Sequence, residues 1–518
     1  MSSDALPDDP GTLKAMLLAE RMQNERLRQI IKELQRHRFG RRAESLPEDQ
    51  MLLGLEDVEQ SLAGDDAAKP MTPAERSARA ERRRSNRGSL PAHLPRVEQI
   101  VDIDDKTCPC CQRELHCIGE DRSERLDIVP AQFRVLVTVR PKYACRKCED
   151  GVLQAAAPAR LIDGGLPTDA TVAQVLVSKY ADHLPLYRQA QIYARQGINL
   201  DRSTLADWVG HAAWHLRPLH ERLLARLKQR PRLFADETTA PVLDPGRGRT
   251  KTGQFWAYAA DDRPWGGTDP PGVAYVYASD RTSERPMSHL EGFAGILQVD
   301  GYAGYRKLAR RNDVRLAFCW SHVRRGFYEL ATPGPSPTAS EALQLIAELY
   351  AIEKDIRGRS ADERRLVRQQ KSRPLVDALE PWLRAKLALI SQKSKLAVAI
   401  RYALSRWEGL TLFINDGSIE LDNNIVERSI RPIALTRKNA LFAGSDGGAE
   451  HWATIASLIE TCKINDVNPL DYLTDVITRI VNGHPNSDID QLLPWAYRKL
   501  KRDGFNLNRF WIPKSVRF

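Results

Sequence analysis

Apolar positions along the chain change their period several times, and each change marks a predicted element. Over residues 13–37 they recur at heptad spacing, with Leu13, Leu27 and Leu34 at d and Leu17, Asn24 and Ile31 at a. An Asn at a fixes register in parallel dimers, whereas Glu20 at a d position weakens the seam. The pattern predicts a coiled-coil or oligomerisation helix within 1–40, or a single amphipathic helix packed on the body. Over 41–97 the period is lost, and acids and small residues give way to Arg76, Arg79, Arg82, Arg83, Arg84 and Arg87. That stretch reads as a basic flexible linker, which either tracks phosphates or is simply solvated. Strand-like alternation returns at 126–130 and 133–143, inside a module spanning 98–155.

After Gly164-Gly165 the pattern turns helical. A helix over 186–197, a turn at Gly197 and a second helix that opens at Arg202, Ser203 and Thr204 give a helix-turn-helix outline within 165–228. In such a unit those three residues meet base edges or phosphates; a plain helical hairpin has the same outline. Short strands follow at 232–236, 255–260 and 274–279, then a helix, a strand over 295–300, a helix, a strand over 314–320 and another helix. Three consecutive strands and then alternating helix and strand imply a mixed sheet flanked by helices. With Asp236 and Asp300 closing the first and fourth strands, that order resembles the ribonuclease-H-like fold. The catalytic domain is expected at 229–335 and 412–450, interrupted by a helical insertion over 336–411 and followed by a C-terminal region, 451–518. The chain is thus expected to be a multidomain α/β protein.

Charge and cysteine usage narrow the partners. The formal net charge is +10, with the cations in patches, which favours an extended anion such as double-stranded DNA. No run of 18 apolar residues occurs and the N-terminus is acidic and polar, so neither a membrane span nor a signal peptide is expected, and the location implied is cytoplasmic. Six of the eight cysteines lie between Cys108 and Cys148. Cys108-Pro-Cys-Cys111 and Cys145-Arg-Lys-Cys148 each offer two thiolates at the C-x2-C spacing, enough to close a structural Zn2+ site.

In the ribonuclease-H-like fold a third acid comes from a later helix. Leu421-Asp-Asn-Asn-Ile-Val-Glu427-Arg-Ser-Ile-Arg431-Pro432 supplies it, with Asp422 or Asn423 as N-cap and Pro432 as the end of the helix. Carboxylates that converge at one sheet edge repel one another unless cations neutralise them, and Mg2+ or Mn2+ is the natural match. Asp236, Asp300 and Glu427 are therefore the expected catalytic acids and metal ligands. Glu237 competes with Asp236, but on a strand the two face opposite sides, so only one should face the metals. Arg428, Arg431, Arg437 and Lys438 are expected to hold phosphates, unless they pair with nearby acids. Gly444, Gly447 and Gly448 would let backbone amides approach a phosphate, or form an ordinary turn. Cys319 and His322 are a Cys-x2-His pair that positions the strand-helix junction or meets DNA, or else one buried Cys and one solvated His.

Together the two cysteine pairs, Phe-Ala-Asp236-Glu-Thr, Val-Asp300-Gly-Tyr and Asp-Asn-Asn424-Ile-Val-Glu427-Arg-Ser-Ile-Arg431-Pro resemble the insertion-sequence-66 family of bacterial transposases. The likeness continues through Arg437-Lys-Asn439, Leu-Phe-Ala-Gly-Ser-Asp-Gly-Gly448 and Leu492-Leu-Pro-Trp495. It implies a DDE transposase that cleaves the 3′ ends of its element and joins them to target DNA, binds the terminal inverted repeats, works as a homodimer or higher oligomer, and is assisted by small accessory proteins. Two alternatives share part of this pattern. A zinc and helix-turn-helix regulator would keep the catalytic domain only as a scaffold, and a nuclease would cleave without joining. For the cysteine pairs, changing Cys108 and Cys145 together to Ser is expected to abolish bound zinc and weaken DNA binding. Metal analysis of the purified double variant checks this, and unchanged zinc content would refute the ligand set.

Overall fold

The computed structural model describes Asp9, Cys110 and residues 132–144, 152–244, 246–310, 313–332 and 336–497. The chain divides into two compact units, Met1–Ala131 and Gln132–Phe518, and every element below belongs to the second. The expected coiled-coil helix, the basic linker and Cys108, Cys111, Cys145 and Cys148 lie outside the described residues. Of the alternating run 133–143, only Lys142–Ala144 (β1) is strand, paired antiparallel with Val152–Gln154 (β2). Alternation tells which face a side chain would take but not whether a partner strand is present. Ahead of β1, side chains take over: Gln154 Nε2 donates to the Arg140 carbonyl at 2.9 Å and Arg140 Nε to the Ala155 carbonyl at 2.9 Å.

Three helices follow: α1 (Asp169–Tyr180), α2 (Leu186–Ala194) and α3 (Arg202–Lys228). Gly197, at φ +79°, makes the expected turn between α2 and α3. However, α3 is 27 residues long, and its apolar stripe of Leu205, Val209, Ala212, Leu216, Leu219 and Leu223 is buried along most of that length. It packs on the sheet and so serves as a layer of the core as well as the second limb of a turn.

The sheet has five strands: β3 (Arg232–Asp244), β4 (Arg249–Ala260), β5 (Gly272–Ala278), β6 (Gly295–Val299) and β7 (Val314–Phe318), in the order β5-β4-β3-β6-β7. The β3-β4 and β4-β5 pairs are antiparallel, and β6 and β7 add in parallel. β3 outruns its apolar start because residues 238–244 pair with 249–255 of β4. Between the strands lie α4 (Glu284–His289) and α5 (Arg306–Ala309), and α6 (Trp320–Ala331) follows β7. β4 is buried on both sides: Phe255 meets Trp452 with ring centroids 4.8 Å apart, and the next residue, Trp256, meets Tyr305 at 5.9 Å.

The segment expected as a helical insertion forms α7 (Pro337–Ile356), α8 (Ala361–Val367), α9 (Arg373–Ala388), α10 (Lys395–Leu404) and α11 (Trp407–Thr411), with a π-helical turn at Arg368–Ser372. Its core of Ile346, Leu349, Val376, Leu379 and Ile400 is continuous with Trp320 and Phe327 of α6. Three more helices complete the unit: α12 (Asn424–Ala440), α13 (Asp446–Ile464) and α14 (Pro469–Val481). α13 closes the free edge of β5, where the N–H of Val273 donates to Thr461 Oγ1 and that of Tyr275 to Ser457 Oγ. Among the described residues no helix is long and apolar enough to cross a membrane.

Contrary to the sequence-based expectation, α12 does not stop at Pro432 but continues to Ala440. Proline removes one backbone donor, yet packing on β3 and β4 holds the helix, and Tyr275 Oη donates to the Ser429 carbonyl at 2.5 Å. The turn leading into α12 is fixed from the insertion. Arg364 and Arg368, 1% and 0% exposed, both donate to Glu353, and Arg368 Nη1 reaches the carbonyls of Phe413 and Asp416 at 2.9 Å. Changing Glu353 to Ala leaves these two guanidiniums with less compensation in a dry site, and is expected to destabilise the protein by about 3–5 kcal/mol, measured by urea unfolding.

Candidate active site

Parallel pairing brings the ends of two apolar strands together. β3 pairs with β6 only from Arg232 to Phe234, against Ile296 to Gln298, so Asp236 and Asp300 both fall just past the shared ladder. Each acid is fixed by a nearby backbone donor: within β3, Asp236 Oδ1 accepts the Glu237 N–H at 2.8 Å, and beyond β6, Asp300 Oδ1 accepts the Tyr302 N–H at 2.8 Å. Carboxylate oxygens of Asp236, Glu237 and Asp300 lie within 4.8 Å of one another. Alternation predicts that Glu237 points away, but beyond Phe234 the β6 side of β3 is unpaired and Glu237 has a longer side chain. Its carboxylate is drawn in by Arg281, whose Nε donates at 3.0 Å, and by Tyr305 Oη, also at 3.0 Å.

The electrostatics follow from this crowding. Burial first, then Asp300, Glu237 and more weakly Glu427, push the Asp236 carboxyl up to about 8. Glu237 is also raised by burial, against the opposing pull of Arg281. Oxygen donors, an excess of negative charge and a site too dry to ionise fully on its own are the conditions under which a hard divalent cation binds. The residues therefore fit Mg2+ or Mn2+.

Glu427 is carried beside the site on α12, whose first turn follows Asn423. Fully buried, Asn423 donates from Nδ2 to the Ala235 carbonyl at 3.0 Å, beside Asp236, and its N–H donates to Cys319 Sγ at 3.2 Å. The side chain is thus engaged across the fold and makes no cap; Asp422 accepts from the N–H of Asn424 at 3.1 Å instead. The Glu427 carboxylate groups with Cys319 and His322, and Oε1 stands 3.8 Å from His322 Nδ1. Neither of those two atoms has a hydrogen-bond partner. Burial lowers the His322 pKa, against the pull of Glu427 and Asp300, and Cys319 is pushed up to about 12, so both are neutral at neutral pH. Asp236 and Asp300 are thus brought together, while Glu427 stands at the neighbouring cluster, close enough to act on Asp236 by charge.

The expected phosphate ligands fare differently. Arg428 is exposed and lines a cavity of about 200 Å³ with Tyr350, Lys354 and Arg357; Arg431 is half-buried and Lys438 exposed. Arg437 is engaged by protein, its Nη1 donating to the Thr239 carbonyl at 2.6 Å and to Thr238 Oγ1 at 3.1 Å, because the prolonged α12 lies along β3. Gly447 and Gly448 belong to the first turn of α13, where Ser445 Oγ caps the Gly448 N–H at 3.0 Å. Arg202 and Ser203 are exposed and Thr204 half-buried at the start of α3. Sequence reasoning missed the Glu237–Arg281 pair and the role of Asn423; the only signals were an acid beside Asp236 and a second Asn in the Asp-Asn-Asn run.

A family model described as "Transposase IS66 family" matches residues 164–451, more than half of the 518-residue chain. The chain belongs to the IS66 transposase family. Three further models of this family match: the zinc-finger binding domain of transposase IS66 at 105–149, "Transposase C of IS166 homeodomain" at 26–98, and the IS66 C-terminal element at 457–495. Among curated relatives, two proteins of Sinorhizobium fredii (strain NBRC 101917 / NGR234), "Uncharacterized protein y4qI" and "Uncharacterized protein y4jD", are each 45% identical. The first match covers 95% of this chain and 98% of the relative, the second 96% and 98%. A third from the same strain, "Uncharacterized protein y4hP", is 39% identical over 90% of this chain and 88% of its own length.

The raised Asp236 carboxyl has a consequence for the metal-free protein. Its folded pKa of about 8 lies above the ordinary aspartate value of 3.8, so the folded state holds a proton that the unfolded chain releases. This group's contribution to stability is therefore full below about pH 4 and is lost as pH rises towards 8. In EDTA, Asp236→Asn is expected to melt higher than wild type at pH 8 and to lose that advantage near pH 4, as read by thermal unfolding across pH.

Proposed function

We propose that this IS66 family member is a DDE transposase that cleaves the 3′ ends of an insertion sequence and transfers them to target DNA. The observation that carries this is the meeting of Asp236 and Asp300 just past the parallel β3-β6 ladder, with the helix of Glu427 pinned beside them through Asn423. The mixed sheet order β5-β4-β3-β6-β7 supports a ribonuclease-H-like catalytic domain around them.

On this reading Asp236 and Asp300 are the main ligands for Mg2+ or Mn2+, and Glu427 is the third. Bound divalent ions supply Lewis acidity to the phosphoryl oxygens and lower the pKa of the attacking water or 3′-hydroxyl. The chain holds the reacting groups. Arg428, Arg431 and Lys438 reach phosphates, while Arg437 keeps α12 aligned on β3. In cleavage, water attacks the phosphorus at the element end and the element's 3′ oxygen leaves with a proton. In transfer, that 3′-hydroxyl attacks a target phosphodiester, a new P–O bond forms, and the target's own 3′ oxygen departs.

The zinc-finger match over 105–149 supports a structural Zn2+ held by Cys108, Cys111, Cys145 and Cys148. Arg202, Ser203 and Thr204, presented at the open end of α3, are assigned to DNA. The terminal inverted repeats and target DNA are the partners, in a homodimer or higher oligomer in the cytoplasm.

The test is cleavage and strand transfer in Mg2+, using labelled intact and pre-nicked element ends with plasmid target, with wild type beside Glu427→Gln. Joined product is expected from wild type alone. Cleavage without joining would make the protein a nuclease, and specific end binding with neither reaction would make it a regulator.

A further inference from the structure

The peptide after Asp300 is held from an unexpected direction. Gly301 has φ +109°, and a Cβ there would stand 2.6 Å from Arg406 Nε and 2.8 Å from Tyr402 Oη. Both side chains come from the helical insertion, at the end of α10 and just beyond it. Tyr402 Oη donates to the Asp300 carbonyl at 2.5 Å, and Arg406 Nη2 donates to the Gly301 carbonyl at 3.1 Å. The two side chains also fix each other: the Arg406 guanidinium lies 3.9 Å over the Tyr402 ring, and Nη1 donates to the Tyr402 carbonyl at 3.2 Å. Phe318, the last residue of β7, lies 5.8 Å from the same guanidinium. Two successive carbonyls at the end of β6 are thus gripped by one module, while the carboxylate of Asp300 is turned by its own bond to the Tyr302 N–H.

We propose that Tyr402 and Arg406 are positioning residues for the metal-binding carboxylate of Asp300, so that the insertion is a working part of the active site. The inference rests on the proposed metal-dependent reading of that site. The alternative to a clamp is free rotation. An acid one residue past the end of a strand, followed by glycine, has no backbone ladder to hold it. Neighbouring carboxylates push it outward. Donors on these two carbonyls restrict the peptide planes without touching the carboxylate, whose Oδ1 keeps its bond to the Tyr302 N–H while both oxygens retain lone pairs for a cation. Within the module, buried Arg364 and Arg368 are paired with Glu353.

The experiment is Mn2+ binding to the full chain without DNA, followed by the loss of the free-ion electron paramagnetic resonance signal, for Tyr402→Phe, Arg406→Lys, Asp300→Asn and Leu379→Ala. Each clamp variant keeps charge and nearly all volume, and each is expected to weaken Mn2+ roughly 10-fold, the low end for groups that orient metal ligands. Asp300→Asn is expected to lose binding. Leu379→Ala loosens the insertion core away from the clamp and is expected to lower the melting temperature with Mn2+ affinity unchanged. Wild-type affinity in both clamp variants, with binding lost in Asp300→Asn, would overturn the clamp and leave the metal reading standing. Wild-type affinity in Asp300→Asn itself would overturn the metal reading. A loss in Leu379→Ala equal to that in the clamp variants would reduce the clamp to general support of the fold.

Discussion

Mutual repulsion between the carboxylates of Asp236 and Asp300, half-buried side by side, is the constraint that the surrounding structure serves. Left to themselves, two acids just past a shared parallel ladder would splay, or one would stay protonated. Asp236 takes the second course in the absence of a cation, with its carboxyl held near 8. The strand ends resist the first through bonds to backbone groups. Asn423 holds the Ala235 carbonyl, Tyr402 the Asp300 carbonyl, and Gln298, 1% exposed, exchanges two 3.0 Å hydrogen bonds with the backbone of Glu420. None of these ties uses a carboxylate oxygen of the acids it steadies, whose own bonds are to the N–H groups of Glu237 and Tyr302.

The same logic explains polar residues in unlikely places. α13 is apolar over most of its length, yet Ser457 and Thr461 are fully buried there, since β5 is an edge strand with unmatched backbone groups. Their hydroxyls, with His220 Nε2 on the Tyr275 carbonyl at 2.9 Å, finish the ladder that a sixth strand would otherwise complete. In the insertion, Arg364 and Arg368 do comparable work on the turn before α12. In both places, among the described residues, buried polar side chains satisfy backbone groups that neither a helix nor a neighbouring strand pairs.

Sequence alone revealed the acids because each ends a short apolar run, and local periodicity is a signal the chain carries in itself. The five strands, the helix after β7 and the helical nature of 336–411 were legible for the same reason. What stayed hidden depends on contacts between distant segments. Pro432 reads as a terminator until β3 and β4 are seen beneath α12. Glu237 reads as facing away until Arg281 and Tyr305 are in place. Gly447 and Gly448 read as a phosphate loop until Ser445 is seen to start a helix on them. Tyr402 and Arg406 lie about a hundred residues from Asp300, and nothing in their own neighbourhood suggests that they meet it.

The two glutamates near the aspartates show how the fold separates roles that composition leaves equal. Glu237 lies within reach of Asp236 and Asp300, but its side chain is 1% exposed, with Arg281 on one oxygen and Tyr305 on the other. A cation drawing on it would have to break a charge-assisted pair in a dry site. Glu427 is fixed the opposite way, by its backbone, whose N–H donates to the Asn423 carbonyl at 3.2 Å, while Oε1 has no partner. An unpaired buried carboxylate oxygen is unfavourable in the metal-free state, and a cation relieves it. On the proposed reading this makes Glu427 the third ligand and Glu237 the group that keeps Arg281 beside the site. Proximity alone would have chosen the other acid.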